Sequence, residues 1–422
     1  MAVLFILFFG LMALGVPIAG AIGLAIFHNS ATLGTMSASF IGRSLISSLD
    51  SFPILAVPMF ILAGEIMGQG GISKRLFNFA NACLGWMTGG VAIATIFTCM
   101  LFGAISGSGV ATFAAVGLIM IPLMEAQGYD KGFVTGLTAS AGGLGVLIPP
   151  SLPLVMYGIS ANESIGSLFM GGILPGCVTG LALMLYAYFF CRRHPVDNQL
   201  NNRISIWKSV KEGFWALLCP VIILGGIYGG IFTATEAAAV SVLYGILVSK
   251  FIYKTIQFRQ LPSFFLNAAR TNAPVLLIVT VATVFGRVLS LAQFPTMVSN
   301  AVLGISDNPI VIMLIINLLL LVTGMLMDTL PAIVILTPIL LPIAAGIGIS
   351  PLHFGVIMIA NLAIGFVTPP IGVNLYTAAA LTKMPVSQVA KAAVGPICAL
   401  LAALLLINIF PALSTFLPGL LS

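Results

Sequence analysis

Long apolar segments separated by short polar intervals run along almost the whole chain. Four of them approach the length that crosses a bilayer: Val3–Phe27, Ile173–Phe190, Val275–Leu291 and Ile310–Met327. Such segments predict an all-α polytopic membrane protein with roughly 10–12 transmembrane helices, at about 17–25 residues per helix. The first segment lacks a basic flank and is too long for a cleaved signal peptide, so we expect it to form the first transmembrane helix.

Helix breakers within these segments recur at a fixed spacing. Pro149-Pro150 and Pro369-Pro370 lie 220 residues apart, and the same offset relates Gly145 to Gly365. A proline removes a helical hydrogen bond, and freed backbone groups inside a membrane are tolerated only where they line a cavity or an ion site. Two such breaks in corresponding halves are typical of the binding site of a secondary transporter.

The repeat predicts how the chain is organised. Basic flanks at Lys74-Arg75 and Lys131 place both ends of the Ser106 region in the cytoplasm, whereas the flanks of the Asp328 region carry no basic residue. This favours one re-entrant hairpin from each side in an inverted repeat, and the alternative is two helices that cross completely. The first predicted repeat is 1–191, with a hairpin at about 91–125 and a broken helix at about 132–160. A connector at 192–213 follows. The second repeat is 214–422, with a hairpin at about 309–345 and a broken helix at about 353–382.

Composition agrees with a membrane protein and excludes other classes. Hydrophobic residues make up 60% of the chain and charged residues 6%, with a mean hydropathy of +1.18, which no soluble globular domain shows. No basic patch with interleaved aromatic residues occurs, so we expect lipid but no nucleic acid as a partner. The six cysteines are scattered, and no HExxH motif, phosphate loop or nucleophile–base pattern is present. We therefore expect neither an enzyme nor a transition-metal site.

Charged residues outside the apolar segments predict which intervals face the cytoplasm. The polar interval Arg192–Glu212 is basic and divides the chain almost in half. The pattern of Ile204, Trp207 and Lys208 within it predicts an amphipathic helix on the cytoplasmic surface. Lys74-Arg75 is interpreted as a solvated loop pair. The external intervals are expected at Asn162-Glu163 and Asp307-Asn308.

Polar residues at the two predicted hairpin tips suit a small hard cation. Ser106-Gly107-Ser108 combines hydroxyl oxygens with a backbone that can turn and expose carbonyls, although close helix packing also uses small residues. Asp328 is an acid within an apolar segment, a position that is costly and typical of functional sites. It could ligate a cation, carry a proton, or pair with a distant arginine such as Arg43 or Arg287.

The proline breaks offer complementary groups. The carbonyls of residues 145–148 and 365–368 become available to a cation, and the half-helix after each break directs its N-terminal dipole back toward it, which suits an anion. A simple proline kink is the alternative. Polar residues that flank the breaks and could bind a solute are Asn361, Asn374, Thr138, Ser140 and Tyr157.

Four motifs carry a resemblance to a known family that covers essentially the whole chain. The sequence resembles the large membrane subunit of TRAP transporters, the DctM-like proteins of the ion-transporter superfamily, and is most similar to the sialic-acid type. It departs from the family at Ala234, where proline is more common, and at Ile148, which corresponds to Thr368 in the second repeat. The motifs are Pro53–Gly64, Gly103–Ser108, Gly229–Ala237 and Thr368–Gly372.

The resemblance implies a sodium-driven importer of an organic anion, with sialic acid (N-acetylneuraminate) as the expected cargo. It implies an elevator mechanism, a bacterial inner-membrane location, and two partners: a small four-helix membrane subunit and a soluble periplasmic binding protein. Alternatives are a stand-alone dicarboxylate or citrate carrier of the same superfamily, and a channel or intramembrane enzyme. The sodium ligands are expected among Ser106, Gly107, Ser108, Gly145, Ile148, Gly324, Met327, Asp328, Thr329, Gly365 and Thr368. The substrate ligands are expected among Ser108, Pro150, Ser151, Asn361, Pro370 and Asn374.

Overall fold

The computed structural model describes residues 2–34, 36–196, 205–304 and 308–421, and within these ranges the chain is helical, without a β-strand. Connector residues 197–204, including Ile204, and Asp307 of the predicted external interval lie outside the described residues. The first ten helices are α1 (Ala2–Ala13), α2 (Ile18–Leu33), α3 (Ala38–Leu49), α4 (Ala56–Gln69), α5 (Ile72–Leu84), α6 (Gly90–Ser106), α7 (Gly109–Ala126), α8 (Lys131–Gly142), α9 (Leu152–Ala161) and α10 (Ile165–Arg193).

Ten further helices follow the connector. Short turns lie before α4, between α8 and α9, and between α12 and α13. These helices are α11 (Ile206–Tyr228), α12 (Ala234–Leu247), α13 (Leu261–Leu291), α14 (Phe294–Leu303), α15 (Pro309–Leu326), α16 (Thr329–Gly346), α17 (Pro351–Gly365), α18 (Val373–Thr382), α19 (Val386–Ile409) and α20 (Ala412–Leu421).

The helices are long and apolar enough for a multi-pass membrane protein. Among the described residues, nine helical segments reach the length and hydropathy of a membrane span, and five further apolar helices are shorter. The exposed surface carries many large apolar side chains, such as Leu14, Ile46 and Trp207, as expected for a surface in contact with lipid.

The prediction of one first transmembrane helix over Val3–Phe27 is wrong. The run is divided into α1 and α2, which pack against each other. Gly15 adopts φ +84°, a conformation that favours glycine, and Pro17 stands at the start of α2, where its missing N–H costs nothing. The two breakers end α1 before it reaches spanning length.

Two predictions about the basic intervals are also corrected. Lys74 and Arg75 lie within α5 instead of a loop, and the Arg75 guanidinium stacks 3.7 Å from the ring centre of Tyr253. The helix predicted near Trp207 is not a separate surface element, because it forms the first turns of α11, which continues to Tyr228. No glycine or proline occurs between Ile206 and Gly213, so nothing in the sequence ends the helix within its first turns.

The helices form two packed groups that meet along a seam. In the first group α4 packs on α12, α5 on α11, and α13 on α2, α3 and α4. In the second group α8 packs on α7 and α19, α10 on α19 and α20, and α15 on α17. Contacts of α13 and α14 with α16, and of α5 with α6, join the groups. The functional residues predicted from the sequence lie at the centre of the second group, beside this seam.

Candidate functional site

The first helix pair, α6 and α7, turns at Ser106-Gly107-Ser108. Gly107 closes α6 with φ +61°, and the Ser108 side chain caps α7 by accepting a hydrogen bond from the Ala111 N–H at 3.4 Å. The buried Ser106 Oγ lies 2.8 Å from Thr112 Oγ1 and 3.3 Å from the Ser108 carbonyl oxygen. Three oxygens of different residues therefore converge at this tip.

The break between α8 and α9 packs directly on the first tip. The Leu152 N–H donates to the Gly107 carbonyl at 3.1 Å, and a Cβ at Gly103 would lie 2.7 Å from Gly145 Cα. A Cβ at Gly145 would meet the Ser108 carbonyl oxygen at 2.7 Å and the Thr112 side chain. The space beside Gly145 is thus a small cradle bordered by oxygens, and such a set fits a hard cation such as Na⁺.

Thr112 is a member of this oxygen cluster that was not predicted from the sequence. It is fully buried and lies four residues after Ser108, so both side chains occupy the same face of α7. A search for hydroxyls one helical turn beyond the Ser-Gly-Ser motif would have found it.

The second helix pair, α15 and α16, turns at Met327-Asp328. Asp328 stands at the N-cap of α16, where its Oδ1 accepts hydrogen bonds from the Thr329 N–H at 2.7 Å and the Thr329 hydroxyl at 3.4 Å. A carboxylate at a helix N-terminus is stabilised by the helix dipole. Within the described residues Asp328 has no ion-pair partner, and Arg287 donates to Ser44 Oγ at 2.8 Å instead.

The second break, between α17 and α18, packs on the second tip as the first break does on the first. A Cβ at Gly365 would lie 2.5 Å from Gly324 Cα and 2.6 Å from the Gly324 carbonyl oxygen. The Ile371 and Gly372 N–H groups point at the Met325 carbonyl, at 3.3 and 3.4 Å. In both repeats, a contact between two glycines therefore allows the tip and the break to pack closely: Gly103 with Gly145, and Gly324 with Gly365.

The proline pairs differ in their surroundings. Both Pro149-Pro150 and Pro369-Pro370 contain a cis peptide bond, but the first pair is buried and the second is exposed. Ser151, directly after the first pair, is fully buried and caps α9, with its hydroxyl donating to the Val146 carbonyl. In the second break the Thr368 hydroxyl donates to the Ile364 carbonyl at 2.7 Å.

One cavity of about 750 Å³, which we name the tip cavity, brings both tips together. The N-terminal ends of α7, α9 and α16 all open onto it, so three positive dipole ends face one space. Its opposite wall is formed by α4 and α13 of the first group. The predicted residues that line it are Ser106, Gly107, Ser108, Asp328 and Thr329.

The remaining predicted residues do not line the tip cavity. The Asn361 amide NH2 donates to Asn317 Oδ1 at 2.8 Å, and that of Asn374 donates to the Ala139 carbonyl at 3.0 Å. The Oδ1 atoms of both side chains are buried and have no hydrogen-bond partner among the described residues. Ile148 packs against Gly176 of α10. None of these is among the residues that line the tip cavity, and the same holds for Gly145, Pro150, Ser151, Gly324, Met327, Gly365, Thr368 and Pro370.

Contacts between the repeats lock the two breaks together. The Asn374 amide of α18 reaches α8 at Ala139, and the Asn374 N–H donates to the Phe366 carbonyl at 3.0 Å. Phe366 of the second break lies against Gly109 of the first tip, where a Cβ would stand 2.8 Å from its ring. We name this set of contacts the interlock.

The seam side of the tip cavity carries a carboxylate that was not predicted. Glu65 of α4 lines the cavity, and its Oε1 accepts hydrogen bonds from the Gln69 and Asn267 amides, each at 3.1 Å. Asn267 lies on α13, so the contact joins two helices that are 202 residues apart in sequence. The described lining includes Glu65 and Asp328 but neither lysine nor arginine.

Known proteins are similar to this chain in fold or in sequence. The YdaH transporter of Alcanivorax borkumensis has a similar solved structure, with a TM-score of 0.67, 13% identity, and coverage of 89% of this chain and 90% of that one. At this identity the likeness concerns the fold.

Three relatives have closer sequences. The isethionate TRAP transporter permease protein DctMQ of Oleidesulfovibrio alaskensis is 46% identical over 99% of this chain, which spans 66% of that relative's length. Two Vibrio cholerae proteins match nearly end to end. The C4-dicarboxylate TRAP transporter large permease protein DctM is 37% identical, with coverage of 100% of this chain and 98% of that protein. The sialic acid TRAP transporter large permease protein SiaM is 38% identical, with coverage of 97% and 96%.

These relatives are named as permeases and not as enzymes. A family model described as the tripartite ATP-independent periplasmic transporter, DctM component, matches residues 5–413. The chain belongs to this family, and is a TRAP transporter large permease.

Proposed function

We propose that this chain is the translocating subunit of a sodium-coupled importer for a small organic anion. The observation that carries the proposal is the meeting of both tips in one cavity onto which three helix N-termini open. Oxygens at the tips suit Na⁺, while the positive dipole ends of the three helices suit a carboxylate or sulfonate. Na⁺ at the tips and the cargo anion in the same cavity would then favour each other's binding. Coupled transport requires this mutual effect.

The tip oxygens support two sodium positions. The first is the cradle beside Gly145, with Ser106 and Ser108 at its border and Thr112 added by the structure. The second is at Asp328, beside the Gly324–Gly365 contact. In this proposal Na⁺ is transported as the coupling ion and is not a resident cofactor.

The chemical class of the cargo follows from the relatives. They are named for isethionate, C4-dicarboxylates and sialic acid, which share an acidic group that is ionised at neutral pH. Sialic acid, expected from the sequence, is one member of this class, and the greater identity to the isethionate permease puts isethionate beside it as a candidate. We propose the anionic group as the common feature that the helix N-termini bind.

Partners, location and movement follow from family membership. We propose a small membrane subunit and a periplasmic binding protein as partners, and the bacterial inner membrane as the location. The division into two packed groups supports an elevator, in which the group holding both tips moves along the seam against α4 and α13.

Uptake by the complete complex in proteoliposomes tests the proposal. Isethionate, succinate and N-acetylneuraminate are offered with an inward gradient of NaCl or of choline chloride. Sodium-dependent accumulation of at least one anion is expected, and Asp328→Asn and Ser106→Ala should abolish it.

Each variant has a matched control. Asp130→Asn changes another aspartate N-cap, that of α8, and Thr98→Val removes a buried hydroxyl of α6 eight residues before Ser106. Both controls should transport normally, and equal sodium dependence in the Asp328 or Ser106 variants would contradict the site. Uptake by this chain without its partners would contradict the tripartite arrangement.

A further inference from the structure

A second cavity lies farther along the seam. This outer cavity, of about 610 Å³, shares three helices with the tip cavity. On α9 the tip cavity has Leu152 and the outer cavity Ser160; on α13 the order is Thr271 and then Arg287. On α16 the tip cavity has the first turn, and the outer cavity reaches Pro338. The two cavities therefore follow each other along one seam.

Charge placement assigns a side of the membrane to each cavity. Lys254 and Arg259 precede α13, so its start faces the cytoplasm by the positive-inside bias, and Lys74 follows the end of α4 that lines the tip cavity. The helix α13 is about 45 Å long at 1.5 Å per residue, enough to cross the bilayer. Its end and the outer cavity therefore face the external side, from which an imported solute arrives.

The outer cavity is lined by hydroxyl groups around one arginine. Among the described residues that line the cavity, Arg287 is the only charged one, and its guanidinium donates a hydrogen bond to Ser44 Oγ at 2.8 Å. The Arg287 side chain is exposed, and since a guanidinium has five N–H donors, most of them remain for a ligand. No carboxylate occurs among the described residues that line the cavity. The hydroxyls of Ser51, Ser160 and Ser290 line the cavity, and those of Ser47, Ser48 and Thr283 also line it but donate to backbone carbonyls of their own helices.

We propose that the outer cavity captures the anionic group of the cargo, with Arg287 as its binding residue, before the cargo passes to the tip cavity. The inference rests on the proposed import of an organic anion. The charge that the first group presents to the seam changes sign between the two cavities. At the outer cavity α13 presents the Arg287 cation, whereas at the tip cavity α4 presents the Glu65 carboxylate. An anion is thus attracted at the entrance and bound less firmly near the exit.

A labelling experiment tests the charge of the outer cavity without transport. Ser290→Cys places a thiol one helical turn from Arg287, in a background where the exposed Cys177 and Cys398 are replaced by serine. Its reaction rates with an anionic and a cationic methanethiosulfonate are compared in the purified complex. Arg287→Gln should lower the anionic-to-cationic rate ratio by about 10-fold or more.

Arg270→Gln is the matched control, since Arg270 is an exposed arginine of the same helix, about 25 Å along its axis from Arg287 and outside the cavity lining. It should leave the ratio nearly unchanged, and equal ratios in the Arg287 and Arg270 variants would overturn the proposal. Isethionate should also slow labelling when Arg287 is present and have little effect in Arg287→Gln. Absence of protection by isethionate, succinate and N-acetylneuraminate alike would overturn it as well.

Transport separates this inference from the proposed function. For any of the three anions that the wild-type complex accumulates, Arg287→Gln should raise the half-saturating cargo concentration about 10-fold, while the half-saturating sodium concentration stays the same. Arg287→Lys should recover part of the loss. Unchanged cargo dependence in Arg287→Gln would overturn the capture site while leaving the importer intact. If none of the anions is accumulated, the proposed function fails, and the labelling ratio still decides the charge of the cavity.

Discussion

Substitution of Gly365 by alanine should weaken sodium binding at the second tip. The added Cβ would lie 2.5 Å from Gly324 Cα and 2.6 Å from the Gly324 carbonyl oxygen, whereas non-bonded carbons settle at about 3.5–4.0 Å. Both neighbours are backbone atoms, so no side-chain rotation relieves the overlap. Tip and break must separate by about 1 Å, and overpacking of this kind costs about 1–3 kcal/mol.

That cost corresponds to about a 5- to 150-fold loss of sodium affinity if the ion requires the closed contact. Two measurements are suitable: the half-saturating sodium concentration of uptake, and the rise in melting temperature of the purified complex as NaCl replaces choline chloride. Gly225→Ala is the control, because a Cβ at Gly225 meets nothing within 4 Å. If both variants respond to sodium as the wild type does, the glycine contact does not shape an ion site and the reasoning is refuted.

Two further substitutions test single hydrogen-bonding groups. Thr112→Val removes the hydroxyl beside Ser106 and should raise the half-saturating sodium concentration of uptake about 10-fold, whereas Thr98→Val should not; equal values would remove Thr112 from the site. Tyr157→Phe breaks the 2.7 Å bond from the hydroxyl to the Pro351 carbonyl and should cost about 0.5–1.5 kcal/mol of stability in thermal unfolding. Tyr228→Phe, whose buried hydroxyl has no partner among the described residues, should cost nothing, and a larger loss there than at Tyr157 would contradict the assignment.

The sequence was informative where function depends on local backbone chemistry. Helix breakers have the same effect in any surroundings, so Pro149-Pro150 and the Ser106–Ser108 motif could be identified without knowing the fold. Asp328 was predicted as a site residue because an acid in an apolar segment is costly wherever it packs, and it lines the tip cavity. The family resemblance is confirmed by the match over residues 5–413.

Hydrogen-bond partners that come from distant segments of the chain could not be predicted from the sequence. Glu65 reaches the tip cavity because α4 packs across the seam, and its bond to Asn267 spans 202 residues. Asn361 was expected among the substrate ligands, which stays a prediction; what the sequence did not show is that its NH2 donates to Asn317, a residue whose position depends on how α15 packs on α17. A polar side chain in a membrane helix binds whichever acceptor the packing brings closest, and that choice is not encoded locally.

If import is coupled to sodium as proposed, the interlock bears on how a cell conserves its ion gradient. A carrier that crosses the membrane with one ion and no cargo dissipates the gradient that drives import. Because the Asn374 amide joins α18 to α8, and Phe366 lies against Gly109, a shift of one broken helix alone would break these contacts. We expect a carrier with only one of its two ion sites filled to be prevented from crossing the membrane by the site that is still empty. Crossing without cargo would then be suppressed by the interlock between the two repeats, and not by the affinity of either site alone.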